Sequence, residues 1–194
     1  MPTSGKPPLI LASASPRRLD LLAQIGIVPD RVAPSAIGEA ALKGELPPQL
    51  ARRLAEAKAL DVAANFPNSL VLGADTVVAC GRRVLPKTDD EAAARRCLSL
   101  LSGRRHRVYG GICLIDPAGK SHLRLATTAV AVKRLNEKEI EGYIAAGEWR
   151  DKAGAYAIQG LFSRYVRQIS GSYSNVVGLC LYQTAALLRG LGHE

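Results

Sequence analysis

The chain has 194 residues, 47% of them apolar and 5% aromatic, and its 26 lysines and arginines against 17 acidic residues leave a formal charge of +9. A chain of this length buries about 70% of its unfolded surface, enough for one substantial core, and its aliphatic content argues against disorder. No apolar run approaches the roughly 18 residues of a membrane span, the opening MPTSGKPP has no apolar segment of a secretory signal, and no two of Cys80, Cys97, Cys113 and Cys180 form a Cys-x-x-Cys zinc or redox motif.

In chain order, residues 1–7 read as a loose, Pro-rich tail and Leu9 to Ala12 as a short buried strand. Ser15 is the expected N-cap of a helix with Pro16 at its first position, running from Arg17 to about Ile25 with Leu19, Leu22 and Ile25 inward and Gly26 as the stop. Val28 to Val32 suggests a second strand, and the prolines and glycines of 34–49 a long loop of the kind that usually carries function. A helix over about 49–64 follows, then a strand from Ser69 to Cys80, and a short turn and strand over 81–85. Thr88 to Glu91 is the expected capping box of a helix ending near Leu101. Val108–Ile115 and Leu123–Val132 read as a hairpin around Asp116-Pro117-Ala118-Gly119, and Asn136 caps a helix to about Ala146. Residues 150–172 mix loop and strand, and 174–190 are helical with a break near Gly178. Strands alternating with helices, plus one hairpin, predict an α/β fold with a mixed sheet flanked by helices.

Four places carry possible chemistry. Ser13 to Arg18 joins a strand end to a helix start, where free N–H groups and the helix dipole bind anions. Arg17 and Arg18 oppose that dipole in the first turn, by about 0.3–1 kcal/mol each, unless an anion lies between. Phosphate suits them, since a guanidinium grips it bidentately; the bland alternative is two solvated arginines. Asp75 is a carboxylate inside the apolar run Val71 to Val78, and such a group must be paired, metal-bound, protonated or held by backbone N–H groups. It reads as a metal ligand or general base. Glu39, Lys58 and Lys87, taken singly, are ordinary loop or surface residues. In Asp151 to Gly160, small residues surround Gln159, whose amide can read a nucleobase edge, while a plain Gly-rich connector has the same composition. The positive charge points to an anionic partner: nucleotide, nucleic acid or membrane surface. The cysteines read as apolar filler in a reducing cytoplasm, and His106, His122 and His193 are too scattered for a histidine-rich metal site.

Ser13–Arg18, Gly73–Val78, Lys152–Gly160 and Gly171–Leu179, in this order and spacing, resemble the Maf family, and the resemblance spans roughly residues 8–190. It implies one catalytic domain over 8–194, with a two-lobed mixed α/β fold similar to that of the inosine triphosphatases and a nucleotide cleft between the lobes. It implies hydrolysis of a nucleoside triphosphate to the monophosphate and pyrophosphate with a divalent metal cation, Mg or Mn. By resemblance, Asp75 is the catalytic carboxylate and shares the metal with Glu39, while Ser13, Arg17, Arg18, Lys58 and Lys87 hold the triphosphate. Arg17, Thr76 and Gln159 match the base-choosing positions of the dTTP/UTP branch; the 7-methyl-GTP branch typically has Trp, Gln and Glu there. The chain departs from the family pattern at Gly38, where an acidic residue is common, around Leu85-Pro86-Lys87-Thr88, at Tyr109 and at Cys180. The resemblance also implies a cytoplasmic protein and a homodimer, with neither a stable nucleic-acid partner nor a membrane. Three rivals remain: a 7-methyl-GTP-type pyrophosphatase of the same family, a basic nucleic-acid-binding module without turnover, against which the paucity of aromatics speaks, and a phosphomonoesterase or kinase with the same phosphate grip.

Overall fold

A computed structural model describes residues 6–193; of the expected N-terminal tail, residues 1–5 lie outside the described residues, while Lys6 is exposed and Pro7 half-buried. The strands are β1 (Leu9–Ala12), β2 (Arg31–Val32), β3 (Leu70–Cys80), β4 (Arg83–Leu85), β5 (Arg105–Ile115), β6 (Ser121–Val132) and β7 (Val166–Ser170). They form one seven-stranded sheet in the order β2-β1-β3-β5-β6-β7, with β4 also on β3. The β2-β1-β3 part is parallel and the rest antiparallel. The helices are α1 (Pro16–Gln24), α2 (Pro47–Ala63), α3 (Glu91–Leu101), α4 (Glu137–Ala146), α5 (Tyr173–Val177) and α6 (Leu181–Gly190). The mixed α/β class expected from the sequence is the one observed. No described helix is long and apolar enough to cross a membrane.

Pleating sends alternate β3 residues to opposite faces. Leu70, Leu72 and Ala74 join Leu21 and Leu22 of α1 and Leu187 and Leu188 of α6 in one apolar cluster, whereas Val71 packs with Ala55 and Ala59 of α2 on the other face. On that second face Gly73 and Gly111 replace side chains with backbone. A Cβ at Gly73 would come within 2.7 Å of the Ala59 N and 2.8 Å of its Cβ, and one at Gly111 would meet the Ala51 backbone. Ala51, Ala55 and Ala59, spaced four apart, thus form a ridge of small residues that rests directly on the sheet. Gly73→Ala is expected to destabilise the fold by about 1–3 kcal/mol through overpacking, read as a lowered urea midpoint at unchanged slope; an unaltered midpoint would mean that α2 shifts freely.

A third group of apolar residues, from Leu98 and Leu101 to Tyr143, Trp149, Phe162 and Tyr165, fills the far half of the molecule. His106 is buried there, with Nε2 2.8 Å from the Tyr156 hydroxyl and Nδ1 without a partner among the described residues. Burial pushes its pKa down from 6.5 to about 4. The unfolded chain takes up this proton at a higher pH than the folded one, so the stability from the neutral ring is complete above pH 6.5 and drains away as pH falls toward 4. A shift of that size amounts to about 3 kcal/mol. In His106→Gln, whose amide cannot titrate, this part of the acid dependence of urea unfolding should vanish; an identical pH profile would assign it to other groups.

Several local expectations change. Pro47 and Pro48 belong to α2 rather than to the preceding loop: the first N–H groups of a helix lack internal partners, so proline costs nothing there. Gln49 Oε1 accepts from the Leu46 N–H at 3.0 Å in their place. In α1, Leu22 is buried and Leu19 packs half-buried on the same cluster as expected, but Leu21 and Arg18 are buried as well and Ile25 is exposed at the C-cap, so the inward face is turned toward Arg18 and Leu21. Ser15 occupies the N-cap position but makes no side-chain capping bond. Asp90, not Thr88, caps α3, accepting from Ala92 and Ala93 N–H. The expected Val28–Val32 strand shrinks to the exposed pair Arg31–Val32.

Candidate active site

The sheet has a gap. β1 pairs with β3 up to Gly73, and β4 begins pairing at Val78, so Ala74 to Val77 have no strand along that edge among the described residues. This gap lies just beyond the C-terminal end of the parallel strand β1, where α/β sheets form ligand crevices. A cleft of about 530 Å³ opens there, lined by the start of α1, the Pro34–Glu39 loop, α2, Asp75 to Val78, Val84 to Lys87, and Asp151 to Gln159. Since the cleft passes through the sheet edge, it receives Asp75 from one face and Thr76 from the other.

Asp75 is 6% exposed. The alanine ridge sets α2 close to the sheet, and Lys58, one residue from that ridge, puts its Nζ 2.7 Å from Asp75 Oδ1. The same ammonium sits 2.5 Å from Glu39 Oε1. Lys58 is therefore an internal ion-pair residue with an 11% exposed side chain, not the surface lysine its sequence context alone allows. Asp75 Oδ2 makes no protein hydrogen bond among the described residues. Glu39 arrives on a loop tied to α2 by Arg53, which donates to Glu45 at 2.6 and 2.8 Å and to the Ala40 carbonyl at 3.0 Å. Partial burial works to raise the Glu39 pKa, but the hydrogen bond and charge of Lys58, with Lys87 and Arg18 behind it, outweigh that and hold it below its usual value.

Arg18 is buried, donating Nη1 to Ser13 Oγ at 2.9 Å and Nε to the Gly178 carbonyl at 3.0 Å. Burial lowers its pKa, against the attraction of Asp75; a guanidinium stays charged regardless. With Nη2 also 3.5 Å from Thr76 Oγ1, two of its five N–H donors remain uncommitted. Arg17 is half-buried and makes no ion pair among the described residues. Lys87 is exposed and sits 3.3 Å from Asp151. Gln159 stands exposed at the rim, not in the tight pocket that its small neighbours suggest, since those neighbours turn inward: Ala155, Ala157 and Ile158 are buried. All nine sequence candidates, Ser13, Arg17, Arg18, Glu39, Lys58, Asp75, Thr76, Lys87 and Gln159, line the one cleft. Lys152 joins them without having been given a role by the sequence. Burial depresses its pKa, with Arg17 and Lys87 adding to the effect, and its only sequence signal was a cation in a Gly-rich segment. Among the described residues no three His, Cys, Asp or Glu side chains cluster as a metal site. The four cysteines are free, three of them buried.

A mixed α/β sheet broken at one edge, with five cations and a paired set of two carboxylates converging in the break, defines a protein built to hold a small polyanion. The family model described as Maf-like protein matches residues 8–191, and the chain belongs to that family. The dTTP/UTP pyrophosphatase of Paramagnetospirillum magneticum is 65% identical over 184 residues, 95% of this chain and 97% of the relative. The dTTP/UTP pyrophosphatase of Caulobacter vibrioides is 55% identical over 188 residues, 97% of each chain. Among solved structures, the Staphylococcus aureus Ham1 protein aligns with a TM-score of 0.48 at 14% identity, over 94% of this chain and 98% of that one.

Proposed function

We propose that this protein hydrolyses dTTP and UTP to the monophosphate and pyrophosphate, with Asp75 as general base. The observation that carries the reading is the convergence of Lys58, Arg18, Arg17, Lys87 and Lys152 on a cleft whose floor is the Asp75–Lys58–Glu39 cluster. The full-length likeness to pyrophosphatases of this specificity supports it. In this reading the chain is a single catalytic domain from residue 8 onward, its cleft lying between two lobes as in the inosine triphosphatases.

The two carboxylates already face one positive charge, and both are hard oxygen donors. They fit a divalent cation of the magnesium kind, which takes one or two carboxylates and completes its shell with water and phosphate. Gly38 adds no third ligand, so Asp75 and Glu39 would hold it. When bound, the cation supplies charge neutralisation at phosphate oxygens and acidifies water. The chain's own residues do the rest. Lys58 engages Asp75 Oδ1, which leaves Oδ2 to accept a proton from water attacking the α-phosphorus. The two uncommitted N–H groups of Arg18, together with Ser13, Arg17, Lys58 and Lys87, hold the triphosphate in line and stabilise charge growing on the departing pyrophosphate. Gln159, Thr76 and Arg17 surround the base. The test is a panel of canonical and modified nucleoside triphosphates with Mg²⁺ or Mn²⁺, scored for pyrophosphate. Turnover of dTTP and UTP is expected to lead; orthophosphate as sole product, or full activity in excess chelator, would overturn the reading.

A further inference from the structure

The segment after β7 brings no charged side chain into the cleft, yet one of its backbone atoms ties the cleft together. The Gly178 carbonyl accepts from Arg18 Nε at 3.0 Å and from Thr76 Oγ1 at 3.3 Å. Arg18 closes the ring, with Nη2 3.5 Å from Thr76 Oγ1 and Nη1 2.9 Å from Ser13 Oγ. Residues as much as 160 apart in sequence therefore meet on a single oxygen.

That oxygen is held in place from two directions. Gly178 has φ +150° and ψ −4°, a conformation that side chains disfavour, although an added Cβ would meet nothing nearer than Arg18 Cγ at 4.0 Å. Glycine is thus required by the backbone and not by lack of space. Upstream, Asn175 is fully buried and donates Nδ2 to the Val108 carbonyl at 3.1 Å and to Thr128 Oγ1 at 3.0 Å. Its Oδ1 has no hydrogen-bond partner among the described residues and lies against Gly110, where any Cβ would collide with it. Ser172 Oγ accepts from Asn175 N at 3.2 Å, and Ser174 Oγ from Leu181 N at 3.1 Å. The short helix is in this way keyed to β5 and β6 in one register.

We propose that the Gly178 carbonyl is a positioning group that, with the Thr76 hydroxyl it holds, aims the Arg18 guanidinium at bound nucleotide, with Asn175 seated on Gly110 as the key that fixes it. The proposal rests on the cleft being a nucleotide site. Thr76 spends its only O–H donor on Gly178 and accepts from Arg18 Nη2, so it acts on the pocket through Arg18, not by donating to the base.

The test is a cycle of Gly178→Ala, Thr76→Val and the double variant, read as kcat and KM for UTP and, by calorimetry, as the Kd for inorganic tripolyphosphate. Each single change is expected to lower kcat about 10-fold, the loss of one well-placed polar contact, in protein that melts well above the assay temperature. Thr76→Ser, which keeps the hydroxyl, should recover most of the loss. The double variant should cost little more than the worse single one, since both remove the same alignment. Losses that multiply, or a Thr76→Val defect that Thr76→Ser leaves uncorrected, would overturn the proposal; the second comparison decides if Gly178→Ala does not fold. If the wild type releases no pyrophosphate from UTP, the nucleotide reading fails by itself, and the cycle in tripolyphosphate affinity still decides the positioning role: coupled changes uphold it and independent ones refute it.

Discussion

Asp75→Asn is expected to lower kcat for dTTP and UTP by ~10²–10⁴-fold, the usual cost of losing a general base, and a lost metal contact would add to that. The amide has nearly the same shape as the carboxylate but cannot take the proton that Oδ2 is placed to accept. The fold should survive. Removing one partner of a buried ion pair is costly when it strands the other charge, by about 3–5 kcal/mol, but Lys58 is not stranded, because Glu39 stays 2.5 Å from the same ammonium. The decisive measurement pairs steady-state kinetics with thermal melting. A variant that melts well below wild type, with activity following the folded fraction, would show Asp75 to be a structural residue instead.

Gln159→Glu is expected to shift base preference. An amide presents one donor and one acceptor side by side, matching the N3–H and adjacent carbonyl of uracil or thymine. An ionised carboxylate presents acceptors alone and suits a donor-rich edge such as guanine N1–H and N2–H₂. Gln159 lies exposed in the free protein, so its mismatch is felt only when a base covers it. An unpaired polar group then costs roughly 1–3 kcal/mol, so kcat/KM for UTP relative to 7-methyl-GTP should fall about 5- to 150-fold. Thr76→Gln and Arg17→Trp should push the same way. An unchanged ratio in the single and triple variants would place these residues away from the base.

Much of this was open to reading in the sequence because it rests on strong local conflicts. A carboxylate inside Val71–Val78 is expensive wherever the strand lies, and two arginines opposing a helix dipole call for an anion. Strands β1, β3, β4, β5 and β6 and the α4 cap followed from apolar runs and from Asn136 with Glu139, whereas the largely exposed β2 and β7 carry no such run. What stayed hidden depends on tertiary placement. Ala51, Ala55 and Ala59 look like helix filler, and only the glycines opposite them make a close seam. Lys58 reads as surface until that seam carries it to Asp75. The burial of Arg18 was obscured because Leu19 and Ile25 offered an equally good inward face, and the exposed Gln159 because its small neighbours describe their own packing, not its own. The role of the Gly178 carbonyl leaves no trace in residue type, since a backbone acceptor has no side chain to notice.

The seam between α2 and the sheet divides the cleft into two walls that answer to different pressures. On one side the Asp75–Lys58 spacing is fixed by helix backbone resting on Gly73 and Gly111, with no slack to absorb substitution. On the other, Glu39, Lys87 and Gln159 stand on irregular segments exposed to solvent. In the proposed assignment, base choice at Gln159 can therefore change without disturbing the Asp75–Lys58 pair. On the same assignment, libraries confined to Gln159 should yield new base preferences with hydrolysis retained, whereas libraries that touch the glycine and alanine seam should yield few active members of any specificity.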